Sequence, residues 1–351
     1  MRTVAISVDQ LRRPQPGGIG TYVRGLLAGM QEHHGEWTVQ EVGPPIVGGS
    51  RWGAVAEKLR GRYYTERWAR SDFGVAPGAT VIHATTFTGP FGPPLAGTIR
   101  SVTVQDFVWR DQPDSTTARG REFHESRFQL VRRREDIRIF VTTPAMAERV
   151  AAEGVAASRI FPITLGLDRP SDLSGDAATR LLDTHGVTGP FTLCAGTIEA
   201  RKNLPRLIAA HRLARHQTPE LGPLVFVGPR GWGDVNLDGE ISLGAVERGV
   251  LNALLTRASV LAYVPLAEGW GLPPLEALNV GTRVVASTSV PSIEGRSDVV
   301  TVDALALESI AEGLTRAVAL ADDGASRAAR RSSVASLTWG AMAQQHIAGW
   351  Q

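Results

Sequence analysis

The sequence has few of the features that mark an exported or membrane-spanning protein. It contains a single cysteine, Cys194, which excludes an internal disulfide, a bond typical of exported folds. No stretch approaches the roughly 18 uninterrupted apolar residues of a membrane-spanning helix. The first residues also lack the apolar core of a secretory signal. We therefore expect a cytoplasmic protein.

Lysine is almost absent as well. Of the 37 basic residues, only Lys58 and Lys202 are lysines, an imbalance typical of a G+C-rich genome whose codons favour arginine. The formal net charge of +2 at pH 7 argues neither for nor against nucleic acid. Because this bias removes most lysines, each one that remains is a candidate for a specific role.

The first half of the chain predicts a doubly wound α/β domain. At 351 residues the chain exceeds what one compact core usually fills, so two domains are expected. An apolar, β-branched run at 3–9, a glycine loop and apolar residues at helical spacing from Tyr22 to Met30 form its opening unit. Further strands are expected at 80–85, 99–106 and 138–143, and helices near 50–70, 120–135 and 144–153.

The same alternation restarts after a polar segment at 167–180, whose Pro, Gly and Asp residues are typical of a linker. The expected strands are 191–197, 223–228, 259–265 and 283–287, and the expected helices are 204–214, 250–258 and 273–278. We predict an N-terminal domain at 1–168, a second domain at 169–336 and a closing helix within 337–351.

Two adjacent cations precede a predicted helix in the second domain. Asn203 is a good N-cap, so Arg201 and Lys202 lie just before a helix N-terminus, where free N–H groups and the helix dipole attract anions. Cations are unfavourable there unless an anion lies between them, and a phosphate is the natural candidate. The alternative is a solvated pair that happens to precede a helix.

The stretch LAEGWGLPPLEALNVG at 266–281 combines two glutamates with a glycine loop. The prolines suit the first turn of a helix, we place Glu276 in that turn, and Gly281 can end the helix. One interpretation is a capped helix with an exposed Glu268. The other is a loop that presents N–H groups to phosphate while the glutamates bind hydroxyls, as a sugar nucleotide would require.

Weaker candidates occur elsewhere. The segments GGIG at 17–20 and GPRGWGD at 228–234 are phosphate-compatible loops, although GGIG is not a full dinucleotide fingerprint. His83 and Asp106 fall at expected strand ends, and such a histidine is more often structural than catalytic. No His or Cys cluster has metal-ligand spacing, and no Asp-x-Asp pair occurs, so we expect no metal.

Taken in order, these motifs resemble those of the family-4 retaining glycosyltransferases of the GT-B architecture. The segments that carry the resemblance are GGIGTYVRGLL, GTIEARKNLPRLIAA, VGPRGWG and EGWGLPPLEALNVGTRVVAS. Within that family, bacterial mannosyltransferases that build surface polysaccharides are the most similar. The resemblance implies two Rossmann-like domains facing each other across a cleft, with the last helix crossing back to the first domain.

The resemblance also implies roles for individual residues. The donor diphosphate would be neutralised by Arg201 and Lys202, Glu268 would lie near the donor sugar, and Glu276 would hold the ribose hydroxyls. The residues implied in catalysis are Glu268, Arg201, Lys202 and Asp106. Those implied in donor binding are Gly18, Gly20, Gln105, Gly196, Thr197, Gly269, Trp270, Gly271, Leu272 and Glu276.

The expected function is metal-independent, retaining transfer of a hexose from a nucleotide sugar, and the hexose we expect is mannose from GDP-mannose. No cofactor is expected, and the partners are the nucleotide sugar and a glycan, glycolipid or natural-product acceptor, without nucleic acid. The alternatives are a nucleotide-sugar hydrolase or phosphorylase of the same fold, and a non-catalytic sugar-binding protein.

Two features qualify the resemblance. Gln105 stands where the family often has a histidine, which bears on the choice of donor sugar. Arginines are concentrated around one expected helix of the first domain, at positions 119, 121, 127, 132, 133 and 134. This cluster is either a solvated face or a peripheral contact with anionic lipid.

Overall fold

The computed structural model describes residues 2–13, 15–44, 61, 63–170, 174–231, 233 and 235–351. The described chain forms two compact units. The first comprises Met1–Asp106, Ala118–Gly166 and Leu337–Gln351, and the second Phe107–Thr117 and Leu167–Ser336. For comparison, the domain boundaries predicted from the sequence were 168 and 336.

Each unit is built on a parallel sheet of six strands. The first sheet has the order β2-β1-β3-β4-β5-β6, and the second β12-β11-β10-β7-β8-β9. The strands of the first are β1 Arg2–Ser7, β2 Trp37–Val42, β3 Val81–Ala84, β4 Ile99–Val104, β5 Ile137–Val141 and β6 Ile160–Pro162. Those of the second are β7 Thr192–Ala195, β8 Leu224–Val227, β9 Ile241–Ser242, β10 Val260–Tyr263, β11 Val284–Ser287 and β12 Val300–Val302. Two Rossmann-like α/β units are therefore confirmed.

Helices alternate with these strands. They are α1 Gly17–Gln31, α2 Val108–Asp111, α3 Ala118–Arg133, α4 Pro144–Ala152, α5 Gly175–Thr184, α6 Leu204–Gln217, α7 Arg248–Arg257, α8 Leu272–Val280, α9 Leu307–Ala319, α10 Gly324–Ser332 and α11 Trp339–Trp350. None of the helices in the described part of the chain is long and apolar enough to cross a membrane.

Several elements differ from the sequence prediction. The predicted linker at 167–180 contains the start of α5. This helix is amphipathic, and Ala178 and Leu182 are its buried residues. Strand β2 was missed because only its terminal residues, Trp37 and Val42, are buried. Most of the helix expected near 50–70 lies outside the described residues, although 63–68 are helical.

Helix α11 packs closely on α1 within the first unit. A Cβ atom at Gly25 would lie 2.3 Å from the Trp339 ring, and one at Gly29 would lie 2.1 Å from the Trp339 carbonyl oxygen. Larger residues at these two positions would therefore separate the helices. The glycines of α1 allow the last helix of the chain to pack against the first.

A buried polar cluster joins α1, β3, β4 and α11. The Tyr22 hydroxyl lies 3.0 Å from His83 Nε2, 2.7 Å from Thr103 Oγ1 and 3.0 Å from His346 Nε2. The Ser101 hydroxyl lies 2.9 Å from His83 Nδ1. Burial lowers the pKa of His83 well below 6.5, and also lowers that of His346, to about 4. His83 is therefore a neutral structural residue.

Because burial lowers the pKa values of these histidines, we expect acid to lower the free energy of unfolding of the first unit. The unfolded chain takes up protons near pH 6.5, whereas folded His346 does so near pH 4. The stability that depends on neutral His346 is therefore complete above pH 6.5 and should fall by about 2 kcal/mol between pH 7 and pH 5. His346→Gln cannot be protonated and should lose less over this interval. Hydrogen exchange of the α11 amides measures both slopes, and equal slopes would contradict the assignment.

Candidate functional site

The carboxylate of Glu268 lies between the two cations that the sequence predicted to attract an anion. Its Oε1 is 3.0 Å from Arg201 Nη1, and its Oε2 is 2.5 Å from Lys202 Nζ. A second carboxylate, Glu199 Oε1, lies 2.7 Å from Arg201 Nε. The cluster is formally neutral, with two cations and two carboxylates. An incoming anion would therefore meet cations that already have a carboxylate partner.

Two segments bring this cluster together at the carboxyl edge of the second sheet. Arg201 and Lys202 lie on a short 3₁₀ turn, Ala200–Lys202, between β7 and α6. Glu268 lies in the loop from β10 to α8. The Leu266 backbone N–H donates to the Arg201 carbonyl oxygen at 2.9 Å, which fixes the loop beside the turn. Ligands of open α/β sheets bind at this edge.

The electrostatics differ among the three charged side chains. Burial disfavours the charged form of Glu268, but Lys202 and Arg201 outweigh it and lower the pKa of the carboxyl to about 2. Burial also opposes the charge of Arg201, yet Glu268 and Glu199 raise its pKa. For Lys202 burial prevails, and its pKa is lowered. Lys202 is thus the cation whose charge depends most on its partners.

Asn203 holds the turn by a different contact from the predicted one. It is the N-cap of α6, but it has φ +60° and ψ +30° and its side chain makes no cap hydrogen bond. Its Nδ2 donates instead to the carbonyl oxygens of Val264 at 3.2 Å and Ala304 at 2.7 Å. The N-cap position is confirmed and the capping interaction is wrong, because the amide donates to the residues that follow β10 and β12 instead of to its own helix.

The glycine loop before α8 depends on residues that the sequence did not single out. Gly271 has φ +96°, and a Cβ there would lie 2.4 Å from Val290 Cγ1. The Ser292 hydroxyl donates to the Gly271 carbonyl oxygen at 2.6 Å. The Ser292 backbone N–H donates to the Trp270 carbonyl oxygen at 3.0 Å. The turn therefore requires glycine at 271 and is held by the segment after β11.

Helix α8 begins at Leu272, with the prolines in its first turn, and ends at Gly281, which has φ +88°. Glu276 falls outside the first turn, which corrects the sequence prediction by one residue. Leu272 is only 8% exposed and packs in the core. Gly269 precedes the turn as predicted.

Glu276 forms a separate ion pair. Arg248 at the start of α7 places Nη1 2.6 Å from Glu276 Oε1, while its Nε lies 3.6 Å from Asp168 Oδ2. Glu276 raises the pKa of Arg248. Sequence reasoning missed Arg248 because it belongs to no recognisable motif, and only the packing of α7 on α8 brings it to the glutamate.

Other predicted donor-binding residues lie at the ends of β7 and β8. Gly196 follows β7 with φ +136°, and a Cβ there would lie 3.8 Å from Lys202 Cε. A Cβ at Gly228 would lie 2.1 Å from the Gly196 carbonyl oxygen, so the two strand-end loops touch. Gly196, Thr197, Lys202 and Tyr263 line one small pocket together with Cys194. Trp232 and Asp234, in the predicted loop 228–234, lie outside the described residues.

The donor-binding and catalytic residues predicted in the first unit lie at the start of α1 and just after β4. Gly18 and Gly20 lie in the first turn of α1. A Cβ at Gly20 would lie 2.2 Å from Pro16 Cβ, so packing accounts for this glycine. A Cβ at Gly18 would meet no atom within 4 Å. Gln105 and Asp106 follow β4. Gln105 Nε2 is buried and has no hydrogen-bond partner within the described part of the chain.

The arginines around α3 do not form one solvated face. Arg127 is buried and donates to the Thr65 carbonyl oxygen at 2.6 Å. Arg132 donates to that of Glu153 at 2.9 Å, and Arg134 pairs with Asp136 at 2.5 Å. At least three of the six arginines thus bind within the unit, and contact with anionic lipid stays a prediction.

No group of three His, Cys, Asp or Glu side chains suited to a metal ion occurs among the residues that the structure describes. Metal independence stays a prediction.

Comparison with known proteins identifies relatives by sequence. No family model matches the chain. The chain is 35% identical over 150 residues to O-antigen chain mannosyltransferase B of Escherichia coli, in a match that covers 37% of this chain and 39% of that protein. The chain thus spans less than half the length of this curated relative.

Solved structures share the fold over nearly the whole chain. WaaG, a glycosyltransferase involved in lipopolysaccharide biosynthesis, superposes with a TM-score of 0.68 at 13% identity and covers 98% of both chains. HepE of Anabaena, solved with UDP-glucose, superposes with a TM-score of 0.68 at 14% identity and covers 99% of both. The chain therefore has the GT-B glycosyltransferase fold that its motifs predicted, and it is related in sequence to a bacterial mannosyltransferase.

Proposed function

We propose that this protein is a glycosyltransferase that uses a nucleotide-activated hexose. The observation that carries the proposal is the partly buried cluster of Arg201, Lys202 and Glu268 at the carboxyl edge of the second sheet. It lies on a GT-B fold, between a strand-end loop and the glycine turn of α8. The sequence similarity to a mannosyltransferase supports the same reaction class.

The cluster suits the charge changes of glycosyl transfer. When the bond from the anomeric carbon to phosphate breaks, positive charge develops on the sugar and negative charge on the departing nucleoside diphosphate. Preorganised cations stabilise the departing diphosphate without reorganisation of solvent. We assign Arg201 and Lys202 to the diphosphate, in place of a metal ion, and Glu268 to the donor sugar beside them.

Loss of either cation should abolish transfer. Arg201→Gln or Lys202→Gln is expected to lower kcat by at least about 100-fold, because each removes a positive charge that would stabilise the leaving group. The measurement is nucleoside diphosphate release with a panel of mannosyl glycan acceptors. Arg212→Ala is the matched control, since Arg212 is an exposed arginine of α6 paired with Asp238. Full activity in a folded Arg201 or Lys202 variant would overturn the assignment.

The second ion pair is the proposed site of the nucleoside. Glu276 can accept hydrogen bonds from ribose hydroxyls, and Arg248 holds its carboxylate at 2.6 Å. The indole N–H of Trp270 is buried and has no hydrogen-bond partner within the described ranges. Buried donors are normally paired, so this N–H supports ligand binding by the loop 269–272.

We further propose mannose as the sugar and GDP-mannose as the donor. The support is the mannosyltransferase relative, although the structural neighbour HepE was solved with UDP-glucose. In a thermal-shift screen of GDP, UDP, ADP and dTDP sugars, GDP-mannose should raise the melting temperature most, since stabilisation follows affinity. A larger shift with a UDP sugar would contradict this donor.

Transfer should retain the anomeric configuration. In the proposed step the acceptor hydroxyl attacks from the face that the phosphate leaves, the new bond to the anomeric carbon replaces the bond to phosphate, and a phosphate oxygen takes the acceptor proton. No protein nucleophile is then required. NMR of the product formed from α-linked GDP-mannose should show an α-mannoside, and a β-mannoside would overturn the mechanism.

A further inference from the structure

Tyr263 connects the ammonium of Lys202 and the carboxylate of Glu268. It is the last residue of β10 and is 2% exposed. Its hydroxyl lies 2.6 Å from Lys202 Nζ and 2.5 Å from Glu268 Oε2. Lys202 Nζ is itself 2.5 Å from the same Oε2. The three polar atoms therefore form a closed triangle of hydrogen bonds.

The direction of these hydrogen bonds follows from a count of protons. An ammonium only donates, an ionised carboxylate only accepts, and a phenol has one proton. Lys202 must therefore donate to the Tyr263 oxygen, and Tyr263 must donate its single proton to Glu268. Burial and the nearby Glu268 carboxylate raise the pKa of Tyr263, so the hydroxyl keeps that proton.

Lys202 has more need of such a partner than Arg201. A lysine ammonium is a point charge on a flexible four-carbon stem, whereas a guanidinium has a fixed planar geometry. Tyr263 contacts Lys202 twice, because Nζ also lies 4.7 Å from the centroid of the phenol ring. These contacts restrict both the position of the ammonium and the directions of its N–H groups.

The remaining N–H is directed by the triangle. Two of the three ammonium protons are used by Tyr263 and Glu268. Next to the ammonium, Gly196 leaves space, since a Cβ there would lie 4.0 Å from Nζ. Among the described residues this ammonium has no further hydrogen-bond partner, so its third N–H is left for an anion that enters the pocket lined by Gly196 and Thr197.

We propose that Tyr263 is a positioning residue that holds Lys202 charged and aims one of its N–H groups at the donor diphosphate. The aim at a diphosphate rests on the proposed function, whereas the hold on Lys202 depends only on the contacts of Tyr263. Loss of the hydroxyl should leave the fold intact, because the phenyl ring still fills the buried site.

The two lysines of the sequence make the first test direct. In protein labelled with ¹³C-lysine, only Lys58 and Lys202 give side-chain signals, and Lys202→Arg assigns them. Tyr263→Phe removes an acceptor of the charged form and should lower the pKa of Lys202 by about one pKa unit. The other ionisable groups around Lys202 stay unchanged: Arg201, Glu199, Glu268 and Cys194. An unchanged or raised pKa would overturn the proposal.

A second measurement separates positioning from packing. Tyr263→Phe should lower kcat at least about tenfold with little change in the KM for the donor, because the leaving group needs the aimed ammonium most in the transition state. Tyr22→Phe is the matched control, since it removes another fully buried phenol hydroxyl in the first unit. It should reduce stability while the pKa of Lys202 and kcat stay the same. Equal kcat values for wild type and Tyr263→Phe would overturn the proposal.

Failure of this inference can be distinguished from failure of the proposed function. If the wild-type protein transfers no sugar from any donor, the proposed function fails, while the titration still tests the hold of Tyr263 on Lys202. If Tyr263→Phe does not fold, replacement of tyrosine by 3-fluorotyrosine weakens the hydroxyl as an acceptor and should lower the pKa of Lys202 in the same direction. No change on fluorination would then reject the positioning role.

Discussion

The second unit is organised around one carboxylate, that of Glu268, which is 12% exposed and has several hydrogen-bond donors. Burial of an unpaired charge costs several kcal/mol, so Glu268 requires Arg201 and Lys202, and each cation requires Glu268. This mutual dependence joins the turn before α6, the end of β10 and the loop before α8 at fixed distances. Tyr263 completes the set from the strand itself. The polypeptide segments that would contact a donor are therefore held by the same charges that would act on it.

In the first unit, a cluster of hydrogen bonds between uncharged side chains joins separate elements. The Tyr22 hydroxyl gathers His83, Thr103 and His346 in a fully buried cluster, and both histidines are neutral because burial disfavours their charge. The cluster fixes α11 to the sheet, and the glycines of α1 allow the close helix packing beside it. Buried polar groups that satisfy one another favour one arrangement over others. This is a structural role for a histidine at a strand end.

Much of the fold could be predicted from the sequence because buried parallel strands are continuous apolar runs. The residues of β3, β7, β8, β10 and β11 are all buried, and each strand was predicted within two residues at either end. Strands β6, β9 and β12 were missed because two or three residues carry no periodicity. The cations at 201 and 202 were predicted as an anion site because they lie beside a helix N-terminus. Glu268 was left as an exposed loop residue or a hydroxyl-binding residue by its own pattern, and its place near the donor sugar was implied by the family resemblance.

The sequence by itself determined the fold class, the order of the buried central strands and the residue types of the site, since these depend on local periodicity and on short motifs. Only the tertiary structure decided which charges meet. It paired Glu268 with both cations, gave Glu276 to Arg248, turned Asn203 away from its helix cap and brought the Tyr263 hydroxyl to Lys202. Each of these contacts joins residues that are far apart in the sequence, Asn203 with Val264 and Ala304 included. Such distances are set by the packing of strands and helices, which no local pattern contains.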